Sequence, residues 1–251
     1  MEQAYVNLTV ERQIGIITFH HPSANAMPGS LLSRLAQTIT KAGQDDRIRV
    51  VVLQSEGRTF CAGASFDELL ALKNHEQAVE FFMGFARVIN AMREAPKFIL
   101  AKVQGKAVGG GVGLIAAADY AMASEKAAVK LSELSIGIGP YVIGPAVKRK
   151  IGIAAFSELS IDATTWHTAF WAREKSLYAK VLPSLNQLNE AIDFLADKLL
   201  KYDPVATARL KQDLWDGTEN WPVLLAEKAE ISARLVMQEY AKSFLSKFKK
   251  T

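Results

Sequence analysis

The sequence has little cysteine, no long uninterrupted apolar run and no low-complexity segment. Cys61 is the single cysteine among 251 residues, which excludes an internal disulfide and a cysteine-based zinc site and favours a reducing compartment. The most apolar stretch, residues 107–123, is 17 residues long and rich in glycine, so we do not expect a membrane-spanning helix. The first residues show neither a secretory signal pattern nor an arginine-rich presequence. We therefore expect a cytoplasmic protein without membrane association.

Charge of neither sign dominates the chain. Thirty Lys and Arg stand against 26 Asp and Glu, which gives a formal net charge of +4. Four basic residues crowd the last ten positions, namely Lys242, Lys247, Lys249 and Lys250. Such a cluster is typical of a helix end exposed to solvent. The alternative interpretation is that the cluster attracts anionic ligands such as phosphates. Because no basic stripe alternates with aromatic residues, we expect no nucleic-acid partner.

Several common catalytic and cofactor motifs are also missing. After Gly137 and Gly139, Val142 occupies the third glycine position of the dinucleotide-binding pattern, and neither a P-loop nor a G-x-S-x-G segment occurs. The four histidines are not at metal-ligand spacing; they are His20, His21, His75 and His167. The sequence therefore predicts neither a dinucleotide or P-loop site nor a metal site.

Strand and helix signals alternate over the first two thirds of the chain. Two β-rich runs, split by the polar pair Glu11-Arg12, predict a hairpin, and the helical spacing that follows has Ser30 as the expected N-cap. In order, the predicted segments are strands at 5–10 and 13–20, a helix at 30–42, a strand at 49–54, a helix at 66–93, a strand at 98–103 and a helix at 112–118. This alternation predicts an α/β layered fold.

The last third of the chain changes character and is predicted to be helical. Amphipathic patterns cover residues 185–201, 204–215 and 221–249, the last with a break near Tyr240. Neither an internal repeat nor a linker rich in Pro, Gly and Ser interrupts the chain. We therefore predict one functional domain, with a core at 1–195 and a helical C-terminal region at 196–251 that covers the core or meets another subunit.

Residues 103–114 carry the most informative pattern. A buried strand ends there, three consecutive glycines follow at 109–111, and a helix starts. Glycine lets a backbone approach a ligand closely, and the first amides of a helix point at open space with partial positive charge. Such a site can hold a phosphate or a developing oxyanion. Tight packing of the helix on the sheet explains the glycines equally well at this point.

A second strand-to-helix turn of the same kind lies at residues 59–69. It places the segment Cys61-Ala62-Gly63-Ala64-Ser65 between a strand signal and a helix signal. Two such turns with bare backbone donors could hold one carbonyl oxygen between them, as enolate chemistry at a thioester requires. Because backbone amides supply the donors, the segments can consist of Gly and Ala.

These segments resemble those of the crotonase superfamily, the enoyl-CoA hydratases and isomerases. The resemblance rests on residues 60–69, 103–120 and 130–140, in this order and spacing, and extends from the first strand to the C-terminal helices. It implies an α/β fold in which ββα units repeat as a spiral, with C-terminal helices that build a homotrimer or a hexamer made of two trimers. It also implies an acyl-CoA thioester substrate, with coenzyme A as part of the substrate and no separate cofactor.

The resemblance assigns roles to particular residues. The backbone amides of Ala64 and Gly110 would form an oxyanion hole for the thioester carbonyl, and Glu133 would move protons at the neighbouring carbons. Apolar neighbours on both sides of Glu133 favour burial of its carboxyl. The implied substrate-binding positions include a basic residue near the phosphates of coenzyme A and a serine that also suits a helix N-cap; they are Arg58, Ala62, Ser65, Phe66, Gly109, Gly113 and Tyr141.

The sequence departs from the hydratases at two positions. Hydratases of the family carry a second glutamate in the helix after the three glycines, where this chain has Gly113. A single base can still shift a double bond, because it takes a proton from one carbon and returns it to another, and isomerases of the family lack the second carboxylate. Tyr141 stands where hydratases typically have glycine, and its ring either fills the space beside Gly113 or orders a water there.

We therefore predict an enzyme of the enoyl-CoA hydratase or isomerase type, with the choice between the two open. Three alternatives remain. The first is another reaction of the family, such as decarboxylation of a branched acyl-CoA, and the second is a non-catalytic acyl-CoA binder that has lost the chemistry. The third is an RNA-binding role, which only the mild basicity of the chain supports.

Overall fold

The computed structural model describes residues 3–248, which form strands and helices in alternation. In chain order the strands are Tyr5–Glu11 (β1), Ile14–His20 (β2), Ala26–Met27 (β3), Val50–Ser55 (β4), Thr59–Cys61 (β5), Gly63–Ala64 (β6), Ile99–Val103 (β7), Lys106–Val108 (β8), Tyr120–Ser124 (β9), Ala128–Lys130 (β10), His167–Thr168 (β11) and Lys180–Leu182 (β12). The helices are Gly29–Gln44 (α1), Phe66–Ala71 (α2), His75–Glu94 (α3), Gly110–Ala117 (α4), Gly144–Ile161 (α5), Ala169–Glu174 (α6), Leu185–Leu199 (α7), Pro204–Leu214 (α8), Trp221–Val236 (α9) and Glu239–Phe248 (α10), and a 3-10 helix spans Leu134–Ile136.

The described strands form three sheets. The main sheet has the order β1-β2-β4-β7-β9-β12, in which β1 is antiparallel to β2 and the other neighbours are parallel. A second sheet has the order β11-β10-β8-β5, and β3 pairs with β6 in the third. Helices connect most of the parallel strands, so the predicted α/β class is confirmed.

The N-terminal elements follow the predicted pattern with two corrections. Arg12 and Gln13 have φ values of 48° and 67°, so this pair, one residue later than predicted, makes the two-residue turn of the hairpin. Helix α1 begins at Gly29 after Pro28, so the expected N-cap role of Ser30 is wrong. Instead the Gly29 amide donates to the Glu68 carboxylate, 2.8 Å away, and this distant acid satisfies the first turn of the helix.

The long predicted helix at 66–93 is in fact two helices. Helix α2 ends at Ala71, and Asn74 caps α3 by accepting a hydrogen bond from the Gln77 amide. A side-chain cap of this kind starts a new helix rather than continuing the old one. The helix predicted from Val112 begins two residues earlier, at Gly110, as α4. The second shift matters because the start of α4 borders the pocket described below.

The C-terminal third is helical, as predicted, with a break between α9 and α10 at residues 237–238. Helix α7 packs on the main sheet, and α9 packs along α3. The predicted boundary at residue 195 therefore falls inside α7, and the division at that point stays a prediction. Lys249 and Lys250 lie outside the described residues. Within residues 3–248, no helix is both long enough and apolar enough to cross a membrane.

Helix α8 is attached to the core mainly through one buried ion pair. Lys211 is its one buried residue, and its ammonium lies 2.6 Å from a carboxylate oxygen of Asp119 and 3.0 Å from the Met92 carbonyl oxygen. The Asp119 carboxylate also accepts hydrogen bonds from the Ile99 amide and the Trp215 indole. A buried pair with this many satisfied donors is costly to break on one side only.

Candidate active site

The two glycine-containing turns predicted from the sequence lie side by side. Strands β5 and β8 are parallel neighbours, with Cys61 paired to Ala107, and the carboxyl ends of parallel strands meet at one edge of a sheet. Gly63 has φ of 87°, and a Cβ atom added there would lie 3.0 Å from the Val108 carbonyl oxygen and 3.9 Å from the Gly110 nitrogen. The turn after β5 and the start of α4 are therefore in contact.

A pocket opens beside these two turns. Its walls come from the turns themselves, from helices α2 and α3, and from the segment that follows β10. Seven of the ten positions implied by the resemblance line it: Ala62, Ala64, Phe66, Gly109, Gly110, Glu133 and Tyr141. Of the residues described in the structure, Glu133 is the one charged side chain that lines the pocket. The structure thus brings most of the implied site together in one place.

Each of the three consecutive glycines has its own close neighbour. Gly109 has φ of 52°, and a Cβ atom there would lie 2.7 Å from Glu133 Oε1. At Gly110 a Cβ atom would overlap the ring of Phe85, and at Gly111 it would lie 2.7 Å from Cys61 Cβ. Contacts this short exclude any side chain. The glycines therefore serve packing at 111 and close approach to the pocket at 109 and 110.

The start of α4 leaves an amide without a helical partner at the pocket wall. Gly110 is the first residue of α4, so its N–H has no partner within the helix and lies where the helix dipole is positive. On the other turn, the Ser65 amide donates to the Met27 carbonyl oxygen and the Ala62 amide to Ala24, which fixes the backbone on both sides of Ala64. The role of Ala64 and Gly110 as oxyanion donors stays a prediction.

Glu133 directly precedes the 3-10 helix that leaves β10. Its carbonyl oxygen accepts hydrogen bonds from the amides of Ile136 and Ile138, which holds the backbone in place. The residue is half-buried, but its Oε2 atom is shielded from solvent and accepts no hydrogen bond from the described residues. Burial of the carboxyl raises the pKa of Glu133 from 4.5 to about 7, because the charged form loses its hydration. A carboxyl with such a pKa can both accept and donate a proton near neutral pH.

Ile143, and not Tyr141, occupies the space beside Gly113. A Cβ atom added at Gly113 would overlap the Ile143 side chain. It would lie 2.7 Å from Ile143 Cβ. The Tyr141 ring packs instead against Gly139, where an added Cβ would lie 2.7 Å from Cε2, and it is 39% exposed. The hypothesis that Tyr141 fills the gap left by Gly113 is therefore wrong.

Three of the implied positions do not line the pocket. Arg58 is exposed in the turn before β5, and its carbonyl packs against Gly105. The Ser65 hydroxyl caps α2 by accepting a hydrogen bond from the Glu68 amide, as the alternative reading of that serine predicted. Gly113 faces Ile143, as described above. A binding role for these three residues stays a prediction.

Sequence reasoning places part of the apolar pocket wall in the region of residues 69–85, but it does not single out the side chains there and misses the wall outside that region. Leu69 from α2, Phe82 and Phe85 from α3, Ile143 before α5 and Ser232 from α9 all line the pocket. The spacing of the two phenylalanines, three residues apart on one helix face, was the available signal. Ser232 lies a hundred residues beyond the glycine turns, and no local pattern connects the two regions.

Other reactive groups are few among the described residues. Within that part of the chain, no three His, Cys, Asp or Glu side chains are arranged to hold a metal ion. Cys61 is fully buried, and burial raises the pKa of its thiol to about 12. A thiol with such a pKa stays protonated and unreactive near neutral pH.

Solved structures show that the chain has the crotonase fold. It superposes on an enoyl-CoA hydratase from Bacillus halodurans with a TM-score of 0.89 at 22% identity, over 97% of this chain and 99% of the other. It superposes on an enoyl-CoA hydratase from Mycobacterium avium with a TM-score of 0.85 at 27% identity, over 99% and 98% of the two chains. The mixed sheets and the helical C-terminal region are shared features of this fold.

The family model for enoyl-CoA hydratase/isomerase matches residues 9–246, and the chain belongs to this family. It is 32% identical to a Bacillus subtilis protein described as "Probable enoyl-CoA hydratase", over 61% of this chain and 60% of the relative. It is 33% identical to a methylated indene-carboxyl-CoA hydrolase of Mycobacterium tuberculosis, over 62% and 65%. A 2,3-dehydroadipyl-CoA hydratase of Escherichia coli is 29% identical over 84% and 83%. The alignments thus span less than two thirds of the first two relatives.

Proposed function

We propose that the protein acts on an acyl-CoA thioester through an enolate. In this mechanism the thioester oxygen is held by the amides of Ala64 and Gly110 while Glu133 moves a proton at the neighbouring carbon. The observation that carries the proposal is the position of Glu133. Its carboxyl lies against Gly109, one residue before the first amide of α4. The base and an oxyanion donor thus flank one apolar pocket, as such chemistry requires.

The single carboxylate favours isomerisation of a double bond over hydration. Hydration needs one group to orient water and another to handle the α proton, and Ile143 occupies the place where a second carboxylate would start at Gly113. In an isomerisation, ionised Glu133 removes the α proton of a 3-enoyl thioester and negative charge moves to the thioester oxygen. The protonated Glu133 then returns a proton to the γ carbon, and the amides release the oxygen. No water or co-reactant is consumed.

The remaining expectations join this proposal. The turn at 60–65 and exposed Arg58 are proposed to contact the coenzyme A part of the substrate. A homotrimer or hexamer is proposed from the resemblance alone, and exposed apolar side chains on the C-terminal helices are available for subunit contacts. Examples are Phe194, Val205 and Val223, which are 64%, 67% and 64% exposed.

Proton exchange in deuterated water tests the mechanism. Purified protein is incubated with 3-enoyl-CoA and 2-enoyl-CoA substrates, and NMR follows deuterium uptake at the α and γ carbons. We expect interconversion of the two isomers by the wild type and a loss of about 10²- to 10⁴-fold for Glu133→Gln, with CoA-thioester binding retained. Glu158→Gln, at an exposed carboxylate outside the pocket, serves as the control.

Three outcomes would redirect the proposal. Tight binding of CoA thioesters without turnover, equal in the wild type and Glu133→Gln, would identify a non-catalytic binder. Formation of 3-hydroxyacyl-CoA as the main product would identify a hydratase that works with one carboxylate. Salt-sensitive RNA retention without CoA binding would favour the RNA-binding alternative.

A further inference from the structure

The acyl end of the pocket is closed by the ring of Phe85. A Cβ atom at Gly110 would lie 2.7 Å from Phe85 Cζ, so the ring rests directly on the residue that carries the proposed oxyanion donor. An acyl chain that extends from a carbonyl held by Gly110 therefore meets this ring. Phe85 is 4% exposed and lines the pocket.

The ring of Phe85 is held by its neighbours on α3. Phe81 contacts Phe85 at a centroid distance of 6.1 Å and an interplanar angle of 72°, and Phe82 contacts Phe81 at 5.4 Å and 86°. Edge-to-face contacts of this kind fix ring orientation. Opening the pocket at Phe85 thus requires that several phenylalanines repack together.

A second side chain closes the pocket further along α4. Gly113 lies three residues after Gly110, on the same face of the helix, and Ile143 covers it as Phe85 covers Gly110. The cavity between these walls has a volume of about 50 Å³, whereas one water needs roughly 10–15 Å³ on this scale. The whole pocket therefore suits an acyl group of only a few carbon atoms.

The walls also discriminate by charge. Among the described residues that line the pocket there is no Lys, Arg or His, and Glu133 supplies the one charge. A second carboxylate at the far end of an acyl group would be buried beside Glu133 without a cation. Burial of an unpaired charge is strongly unfavourable, and two nearby carboxylates repel each other.

We propose that the protein selects short, uncharged acyl groups and that Phe85 sets the limit on their length. This inference rests on the proposed function, since it assumes that the thioester carbonyl lies at Gly110. It concerns the acyl part of the substrate alone. Phe85 is in this view a specificity-determining residue that contacts the acyl chain and takes no part in proton transfer.

Binding of saturated acyl-CoAs tests the proposal without turnover, because these compounds lack the double bond. Dissociation constants are measured by calorimetry for coenzyme A, for a series from butyryl-CoA to decanoyl-CoA, and for adipyl-CoA beside hexanoyl-CoA. For the wild type we expect the tightest binding at four to six carbons, a loss of about tenfold or more by ten carbons, and adipyl-CoA at least about tenfold weaker than hexanoyl-CoA.

Variants of helix α3 test whether a change in chain-length preference comes from the pocket wall or from a general disturbance of the helix. Phe85→Ala is expected to move the tightest binding to acyl groups longer by two or more carbons, and Phe85→Leu by less, which keeps the test open if the alanine variant folds poorly. Met92→Ala is the matched control, because Met92 is buried on the same helix two turns from Phe85 and does not line the pocket. It should leave the preferred chain length unchanged.

Several results would overturn the inference. Wild-type affinity that keeps rising to decanoyl-CoA would show that Phe85 does not limit the chain, as would the same length profile for the Phe85 and Met92 variants. Adipyl-CoA bound as tightly as hexanoyl-CoA would remove the charge selection. Absence of binding to coenzyme A and to every thioester would refute the proposed function, and this inference with it.

Discussion

Replacing Glu133 by glutamine is expected to stabilise the protein at alkaline pH while it removes the activity. The carboxyl of Glu133 is buried and its Oε2 accepts no hydrogen bond from the described residues. An ionised carboxylate in such surroundings is less stable than in water. Glutamine is nearly the same size and carries no charge at any pH. The substitution therefore removes the unfavourable charge and keeps the packing.

The size of the effect follows from the pKa. Burial raises the pKa of Glu133 from 4.5 to about 7, so the folded state binds the proton more tightly than the unfolded state. The resulting stabilisation is complete below about pH 4.5 and is lost as the pH rises through about 7. A difference of this size between the two pKa values corresponds to about 3 kcal/mol. The wild type loses this amount on going to alkaline pH, and Glu133→Gln does not.

Urea unfolding at pH 5 and pH 8.5, followed by circular dichroism at one fixed protein concentration, measures the effect. The free energy of unfolding of Glu133→Gln, relative to the wild type, should rise by about 2–3 kcal/mol between the two pH values. Glu174→Gln, at an exposed position, is the control and should show a constant offset. An offset for Glu133→Gln that is the same at both pH values would refute the reasoning, because it would mean that the carboxyl is hydrated in the folded protein.

Three further predictions follow from contacts described above. Gly113→Glu alone should destabilise the fold because the new side chain overlaps Ile143. The double variant Gly113→Glu with Ile143→Ala should fold and hydrate 2-enoyl-CoA, which is measured as loss of enoyl absorbance. Hydration no faster than that of Ile143→Ala alone would contradict this prediction. Lys211→Met should cost about 3–5 kcal/mol in urea unfolding because it leaves buried Asp119 without its cation, and adding Asp119→Asn should recover most of the loss; simple addition of the two single losses would argue against the pair. Ser65→Ala should cost about 1 kcal/mol as a lost N-cap, and a tenfold loss of thioester affinity would show instead that the hydroxyl contacts substrate.

The parts of the site that the sequence predicts are those set by local chemistry. The glycines at 109–111 and the turn around Gly63 follow strand signals directly, and a strand followed by glycine and a helix has few conformations. The burial of Glu133 was readable from its apolar neighbours in the chain. Parallel pairing of β5 with β8 then brings these local features together, and the fold class already makes such pairing expected.

The parts that the sequence does not predict depend on partners that are distant in the chain. The start of α1 is fixed by Glu68, thirty-nine residues beyond Gly29. The local sequence therefore predicts an N-cap at Ser30 that the structure does not have. Whether Tyr141 or Ile143 covers Gly113 depends on the path of the segment before α5, which no periodicity records. Ser232 reaches the pocket only because α9 packs along α3.

The contact between Ile143 and Gly113 also bears on how the protein can change over evolutionary time. Because Ile143 fills the space beside position 113, a single substitution of Gly113 by glutamate meets an occupied site. Such a substitution is disfavoured because it destabilises the fold. A lone loss of the isoleucine, in turn, opens a hole in the core and brings no new chemistry. Two substitutions are therefore needed together before a second carboxylate can stand at position 113 in a stable fold.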